Sequence, residues 1–257
     1  MDQRFVFNQV ADLYDRARAG YPEALFEDVM TAAALSPGDA MLEIGCGTGK
    51  ATEDFARRGL DIVALEPGGE MIGLAQRRLA AFSNVRFLET TFEAWPVERG
   101  RFKLIAAAQS WHWVAPKMRF AKAFEALAPG GALAVFGSTQ TDIPSPLREA
   151  LEGTYALHAP TVVGPPPEAG YLPSGPFAGS FEQSGLFGRV LHKGYIWSRR
   201  YSAQSYVEYL RSVSRYQMLE AARRETLLAN VAAEIETHGG SFDLGYETHL
   251  YLASRKG

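Results

Sequence analysis

Three glycines at alternate positions stand in Met41-Leu42-Glu43-Ile44-Gly45-Cys46-Gly47-Thr48-Gly49, and this spacing suggests chemistry. Glycine lets the backbone turn sharply and lets a ligand approach with no Cβ in the way. The N–H groups at the start of a following helix add polar anchors. The loop is not a phosphate loop, because the four-residue gap is missing and Lys50 is not followed by Ser or Thr. It is one residue short of the dinucleotide fingerprint G-x-G-x-x-G. Glu66 ends the next apolar run, at about the distance at which an acid takes both hydroxyls of a ribose. Loop and acid together point to a nucleoside-bearing cofactor. A tight strand–helix turn without a ligand is the plain alternative.

A second cluster is Gln109-Ser110-Trp111-His112-Trp113-Val114, at the end of another apolar run. Ligands bind at the carboxyl ends of the strands of a parallel sheet. His112 is a candidate general base or hydrogen-bond donor, and equally a packed, hydrogen-bonded histidine. Trp111 reads as core, since large rings are mostly buried.

These residues need elements to hold them. Short apolar runs at 40–44, 61–65, 85–89, 104–108 and 132–136 read as strands. Amphipathic stretches at 48–58, 69–82 and 119–127 read as helices, the last stopped by Pro129-Gly130-Gly131. Alternation at this spacing means βαβ units and a parallel sheet. Residues 5–35 read as two helices around Gly20 and Pro22. Eight prolines between Pro144 and Pro176 break the rhythm and predict a long irregular connection. A strand near 189–197, helices at about 203–213 and 218–237, and a terminal strand follow. In that strand Leu244, Tyr246, Thr248, Leu250 and Leu252 share one face, with Glu247, His249 and Tyr251 on the other.

Composition bounds the rest. With 257 residues, 47% hydrophobic and 21% charged, the chain is an ordinary globular protein. A chain of this length buries about three-quarters of its unfolded surface and folds without disulfide or metal. The net charge of −3 gives no general attraction to nucleic acid or anionic lipid. One cysteine, Cys46, and five scattered histidines offer no thiolate zinc site and no metal-ligand spacing. No run approaches the ~20 apolar residues of a membrane span. The N-terminus lacks the apolar segment of a signal peptide, which predicts a cytoplasmic protein.

The chain resembles the class I S-adenosylmethionine-dependent methyltransferases, within the small-molecule group that includes trans-aconitate and related carboxyl methyltransferases. The resemblance rests on LEIGCGTGK, Leu65-Glu66-Pro67, Thr90-Thr91-Phe92-Glu93, the run from Phe102 to Trp113, and Leu127-Ala128-Pro129-Gly130-Gly131, covering about residues 42–136. Tyr14-Asp15-Arg16-Ala17-Arg18 and Tyr21-Pro22 also look like the family's opening helix. It implies a doubly wound, seven-stranded, mostly parallel sheet of Rossmann-like type with a helical cap. On this reading residues 1–257 form a single domain. The core motifs lie in about 36–140, the cap in 1–35 and about 198–240, and the Pro-rich connection in about 141–180.

The cofactor implied is S-adenosyl-L-methionine. By resemblance, Glu43 and residues 45–49 (Gly45, Cys46, Gly47, Thr48, Gly49) hold its methionine end. Glu66 with Pro67 takes the ribose. Met71 covers the adenine, and Thr91 and Phe92 meet its edge and face. Gln109 belongs to the same set. The family usually has Asp where Thr91 stands, so the adenine amino contact falls to backbone. Tyr14 and Arg18, one turn apart, are expected to cap the cofactor, with Arg18 toward the carboxylate; a surface helix is the plain alternative. Trp113 is expected to position an acceptor oxygen beside His112. The partner implied is a small-molecule methyl acceptor, first a carboxylate and then a hydroxyl or nitrogen, with no nucleic acid and no membrane, in a monomer or homodimer. A nicotinamide oxidoreductase and a non-catalytic cofactor binder are the rivals.

The cluster Tyr195, Trp197, Tyr201, Tyr206, Tyr209 and Tyr216 walls a pocket or, more simply, packs a helical cap.

Overall fold

Alternating side chains along the central strands build a sheet core buried on both faces. In β1 (Ala40–Ile44), Leu42 and Ile44 join one apolar cluster and Met41 the other. In β2 (Asp61–Glu66), Val63 and Leu65 oppose Ile62 and Ala64. The same split recurs in β4 (Phe102–Ala108) and β5 (Leu127–Gln140), where Leu133 and Val135 oppose Ala132, Ala134 and Phe136. Successive strand residues face opposite ways, and burial of both faces marks a parallel sheet covered by helices. With β3 (Val85–Glu89), β6 (Leu191–Ser202) and β7 (Ser241–Ser254), the strand order is β3-β2-β1-β4-β5-β7-β6. Pairs β1–β2, β1–β4, β2–β3 and β4–β5 are parallel. The expected seven-stranded, largely parallel sheet is present.

The computed structural model describes residues 11–141, 143–160 and 166–257, apart from the side chains of Ala11 and Tyr14. The part of the opening helix expected over 5–10 lies outside the described residues, as does Pro165. The chain groups into two compact units, whose boundaries fall within β5, β6 and β7. One holds the described parts of 1–19 and 140–166 together with 196–247. The other holds 20–139, 167–195 and 248–257. The helix α2 (Glu23–Ala32), expected in the cap, belongs to the second of these.

Within that second unit, α3 (Lys50–Arg57), α4 (Gly69–Arg78) and α5 (Arg119–Ala126) follow β1, β2 and β4. Phe26 of α2 and Phe55 of α3 meet edge to face at 5.0 Å. The Pro129-Gly130-Gly131 turn does not precede β5 but lies inside it. Gly130 has φ +75°, and the β4–β5 register shifts between Phe102 and Leu104. A turn-like sequence is thus absorbed as an irregularity in the ladder.

The first unit carries α1 (Ala11–Ala17), α6 (Ser145–His158), α8 (Ala203–Arg211), α9 (Ser214–Gln217) and α10 (Ala221–Thr237). Its core joins Leu147 and Leu151 to Tyr206, Leu228, Val231 and Phe242. Glu220 stops the expected 218–237 helix from starting early. Its carboxylate accepts the N–H groups of Ala222 and Arg223 at 3.0 and 2.9 Å, so it is the N-cap. Tyr201, Tyr206 and Tyr216 are buried, Tyr201 and Tyr246 share a 2.8 Å hydrogen bond, and Trp197 stacks on Tyr246 at 4.4 Å. Those rings pack as core. Tyr195 belongs to the other unit, where it donates to Asp28 at 2.6 Å.

The long irregular connection is a correction. Between Pro144 and Pro176 the described chain forms α6 and a 3₁₀ turn (Pro167–Tyr171), and α7 (Pro176–Ser184) follows. Pro146 and Pro176 sit in first helical turns, where a missing N–H costs nothing and the fixed φ suits the helix. The terminal strand alternates only as far as Glu247. Beyond it His249 and Tyr251 are as buried as Leu250 and Leu252, because that stretch is covered on both faces. Among the described residues no helix is long and apolar enough to cross a membrane, and no group of three His, Cys, Asp or Glu residues is placed to hold a metal.

Candidate active site

The glycine loop joins β1 to α3, and all three glycines have positive φ: 69° at Gly45, 56° at Gly47 and 83° at Gly49. Only glycine adopts this region at little cost. A Cβ on Gly45 would lie 2.6 Å from Ser110 Cβ, and one on Gly49 2.6 Å from Leu79 Cδ1. A Cβ on Gly47 would make only an ordinary contact, with Met71 Cε at 3.8 Å. The N–H groups of the loop itself are engaged within the protein. Gly45 and Cys46 donate to Leu65 O at 2.8 and 3.0 Å, Gly47 donates to Glu66 Oε2 at 3.0 Å, and Gly49 donates to Cys46 O at 2.9 Å. The backbone donors hold the loop to the end of β2. The buried thiol of Cys46 is pushed up by burial and then by the nearby acids Glu43 and Glu66, so it is no nucleophile.

Two carboxylates flank this loop. Glu66 ends β2, is 8% exposed, and accepts Gly68 N–H on Oε1 as well as Gly47 N–H on Oε2, both at 3.0 Å. Burial raises its pKa, and those two N–H groups pull it back. Glu43 is 1% exposed and neither of its oxygens makes a well-formed hydrogen bond among the described residues, the Thr52 hydroxyl being the nearby donor. Burial pushes it up to about 7, offset in part by the Thr52 hydroxyl and reinforced by Glu66. A buried acid without donors is costly unless protonated or met by a cation. This predicts a measurable linkage. With the folded pKa above the ordinary 4.5, the stability tied to Glu43 is full below that value and is lost as pH rises through about 7. Melting curves of the ligand-free protein between about pH 5 and 8 should fall for wild type and lie flatter for Glu43→Gln, by on the order of 2–3 kcal/mol over the range. Parallel curves would show that Glu43 does not titrate there.

The second cluster leaves β4. Gln109 has φ 51°, uncommon for a non-glycine residue. It is held by its N–H to Phe136 O at 2.8 Å and by Tyr21 Oη, which donates to Gln109 Oε1 at 3.2 Å. Ser110 Oγ donates to Ile44 O, tying this turn to the foot of the glycine loop. Trp111, His112 and Trp113 form a 3₁₀ turn. Trp111 is fully buried against Phe120 and under the Arg119 guanidinium, as core. The His112 and Trp113 rings lie 4.8 Å apart, both half-buried. Burial holds His112 down to about 4 against the pull of Glu168, so it is neutral at physiological pH. A base that weak suits donation or acceptance of a hydrogen bond better than proton abstraction from an alcohol.

Thr91 Oγ1 accepts Ala94 N–H at 3.1 Å, so its hydroxyl is engaged in a local turn. Phe92 is 3% exposed and stacks 6.2 Å from Trp95, within the apolar core. Pro67 is half-buried, and Thr48 and Met71 are buried beside the loop. The structure therefore gathers Glu43, residues 45–49, Glu66, Met71 and Gln109 within one unit, with His112 and Trp113 on the turn after Ser110. Tyr14 and Arg18 belong to the other unit. The side chain of Tyr14 lies outside the described residues. The Arg18 guanidinium lies 5.1 Å from the centre of the Tyr209 ring. Three residues escaped sequence reasoning: Ser110, Glu93, which accepts Ala115 N–H at 2.9 Å and so fixes the segment after Trp113, and Tyr171, whose hydroxyl touches the Trp111-His112 turn. Ser110 and Glu93 stand inside quoted motifs; Tyr171 stands in a Pro-rich stretch with no motif.

A model of the methyltransferase domain matches residues 41–131, from β1 to the turn inside β5. An uncharacterized methyltransferase of Mycobacterium tuberculosis is 32% identical over 141 residues, which are 55% of this chain and 55% of that relative. One of Geobacillus kaustophilus is 28% identical over 156 residues, 57% of this chain and 71% of its own. The chain thus spans about half the length of the mycobacterial relative. Among solved structures, a protein of Anaeromyxobacter dehalogenans assigned as a type II methyltransferase covers 92% of this chain and 97% of its own, at 21% identity and TM-score 0.65, sharing the fold. Residues 41–131 thus match a methyltransferase domain, and the chain is similar to methyltransferases over about half its length. The matched segment contains Glu43, residues 45–49, Glu66 and the Trp111-His112-Trp113 turn. It leaves Tyr171 and the whole of α6–α10 outside.

Proposed function

We propose that the protein binds S-adenosyl-L-methionine on the glycine loop and transfers its methyl group to an oxygen of a small molecule, a carboxylate before a hydroxyl. The observation that carries this is Glu43, a buried carboxylate with no well-formed hydrogen bond among the described residues, beside Glu66 and a glycine loop of positive φ. Such a site suits a cationic ligand bearing vicinal hydroxyls. A structurally similar phosphoethanolamine N-methyltransferase of Haemonchus contortus, at 13% identity and TM-score 0.50, is known with S-adenosylhomocysteine bound, which agrees with the cofactor.

When bound, the cofactor supplies a sulfonium methyl group for in-line displacement. The protein's work is then alignment and exclusion of water. Glu66, fixed by two N–H groups, keeps lone pairs for ribose hydroxyls. Glu43 balances positive charge at the methionine end, and Gly47 leaves room for close approach. The neutral His112 and the adjoining Trp113 hold the acceptor. A carboxylate is ionised at neutral pH and needs no base, consistent with a histidine too weak to act as one.

A thermal melt with S-adenosylhomocysteine and NAD side by side tests the cofactor. Saturation at about 100 times the dissociation constant adds about 2.7 kcal/mol, a rise of roughly 5–10 °C for a chain of this size. A rise with S-adenosylhomocysteine alone is expected; a rise with NAD alone, or none, removes the proposal.

A further inference from the structure

Tyr171 lies outside every motif, yet its hydroxyl is buried in the middle of the turn that carries His112. The residue is fully buried, on the 3₁₀ turn Pro167–Tyr171, and its main-chain O accepts Tyr251 Oη–H at 2.9 Å. Gly137 has no side chain because the ring lies there, a Cβ on it coming within 2.6 Å of Tyr171 Cδ2. The phenolic oxygen accepts Trp111 N–H at 3.1 Å. His112 Nδ1 stands 3.3 Å away.

These contacts decide where the protons sit. Tyr171 is fully buried, so its phenol proton needs an acceptor. Among the described residues it has one within reach, His112 Nδ1, and an Nδ1–H tautomer would leave that proton without a partner. Nδ1 therefore accepts, and a neutral imidazole that accepts at Nδ1 carries its proton on Nε2. His112 Nε2 has no protein partner among the described residues, and the ring is half-buried. The charged and titratable groups facing this pair are Glu168, on the same 3₁₀ turn as Tyr171, and Arg119 of α5.

We propose that Tyr171 is a positioning residue that locks His112 as an Nε2–H donor, and that this selects a pre-ionised oxygen acid as methyl acceptor. The proposal rests on the methyltransferase reading above. A carboxylate has lone pairs to spare: one accepts from Nε2–H while another attacks. The attacking pair forms the new O–C bond, the C–S pair stays on sulfur as a neutral thioether, and no proton moves. A neutral amine has a single lone pair, which the same donor would block. An alcohol would need a base, and this histidine has its only free lone pair already engaged by Tyr171.

Long-range proton–nitrogen NMR of the full chain with ¹⁵N-labelled histidine reads the tautomer directly, with His112→Gln identifying the signal. The wild type should show a single Nε2–H tautomer with a hydrogen-bonded Nδ1. Tyr171→Phe should convert it to a tautomer mixture while the melting rise with S-adenosylhomocysteine persists. An Nδ1–H tautomer in the wild type overturns the proposal even if the variant fails to fold, and so does an unchanged signal in a folded variant. Turnover of methyl-labelled S-adenosylmethionine with pooled carboxylic acids and pooled primary amines tests the selection. Alkali-labile methyl ester is expected, and stable N-methyl product refutes it. No melting rise and no turnover sinks the enzymatic reading, whereas the tautomer spectrum judges Tyr171 independently.

Discussion

Glu66→Ala should abolish the melting rise produced by S-adenosylhomocysteine and weaken its binding by about 100-fold or more, measured by calorimetry. Hydrogen bonds to a charged group contribute about 1.5–3 kcal/mol each, and a ribose would make two. The side chain is 8% exposed, so water replaces it poorly. Part of the loss is indirect, because Glu66 also accepts the N–H groups of Gly47 and Gly68. Glu66→Gln separates the two effects. It keeps one oxygen acceptor and the shape but loses the charge, and should fall between wild type and alanine. Binding of the alanine variant at wild-type strength would show that Glu66 is only the loop's anchor.

The second large effect is on stability. Gly45→Ala meets two separate penalties. An L-residue at φ 69° costs about 1–2 kcal/mol. A Cβ 2.6 Å from Ser110 Cβ forces backbone movement, since Ser110 is held by its bond to Ile44 O; overpacking of this kind costs about 1–3 kcal/mol. Together, about 3 kcal/mol should lower the transition that unfolds this unit by roughly 6–12 °C. Gly47→Ala serves as the internal comparison. Its φ is also positive, but its nearest neighbour is Met71 Cε at 3.8 Å, so only the first penalty applies. Equal losses at the two positions would mean that the contact with Ser110 is relieved without cost.

The sheet was legible because its central strands are apolar on both sides: Met41 and Leu42, or Ala134 and Val135, leave no polar face to confuse with a helix. Glycine spacing and Glu66 located one end of the site for a local reason, since positive φ and a strand-end acid are written within a few residues. Proline count misled over 144–176. Pro146 and Pro176 mark helix starts, and the same residue type that breaks a helix interior is favoured in its first turn. The burial of His249 and Tyr251 was hidden because alternation reports one covered face and cannot report a second. Tyr171 was out of reach for another reason. Its partners Trp111 and His112 stand about sixty residues away, and no local pattern encodes a hydroxyl meeting a turn across that separation.

Residues 45–47 are already tied to Leu65 and Glu66, and Gly49 to Cys46, before any ligand arrives. The entropy of ordering that loop is therefore met during folding and not subtracted from affinity. Association need not wait for a conformational step, so capture should proceed at the ordinary rate for a formed pocket. The same stiffness limits tolerance. A ligand with extra bulk over Gly47 finds no slack in the backbone, and discrimination against it is exercised by a template that cannot yield.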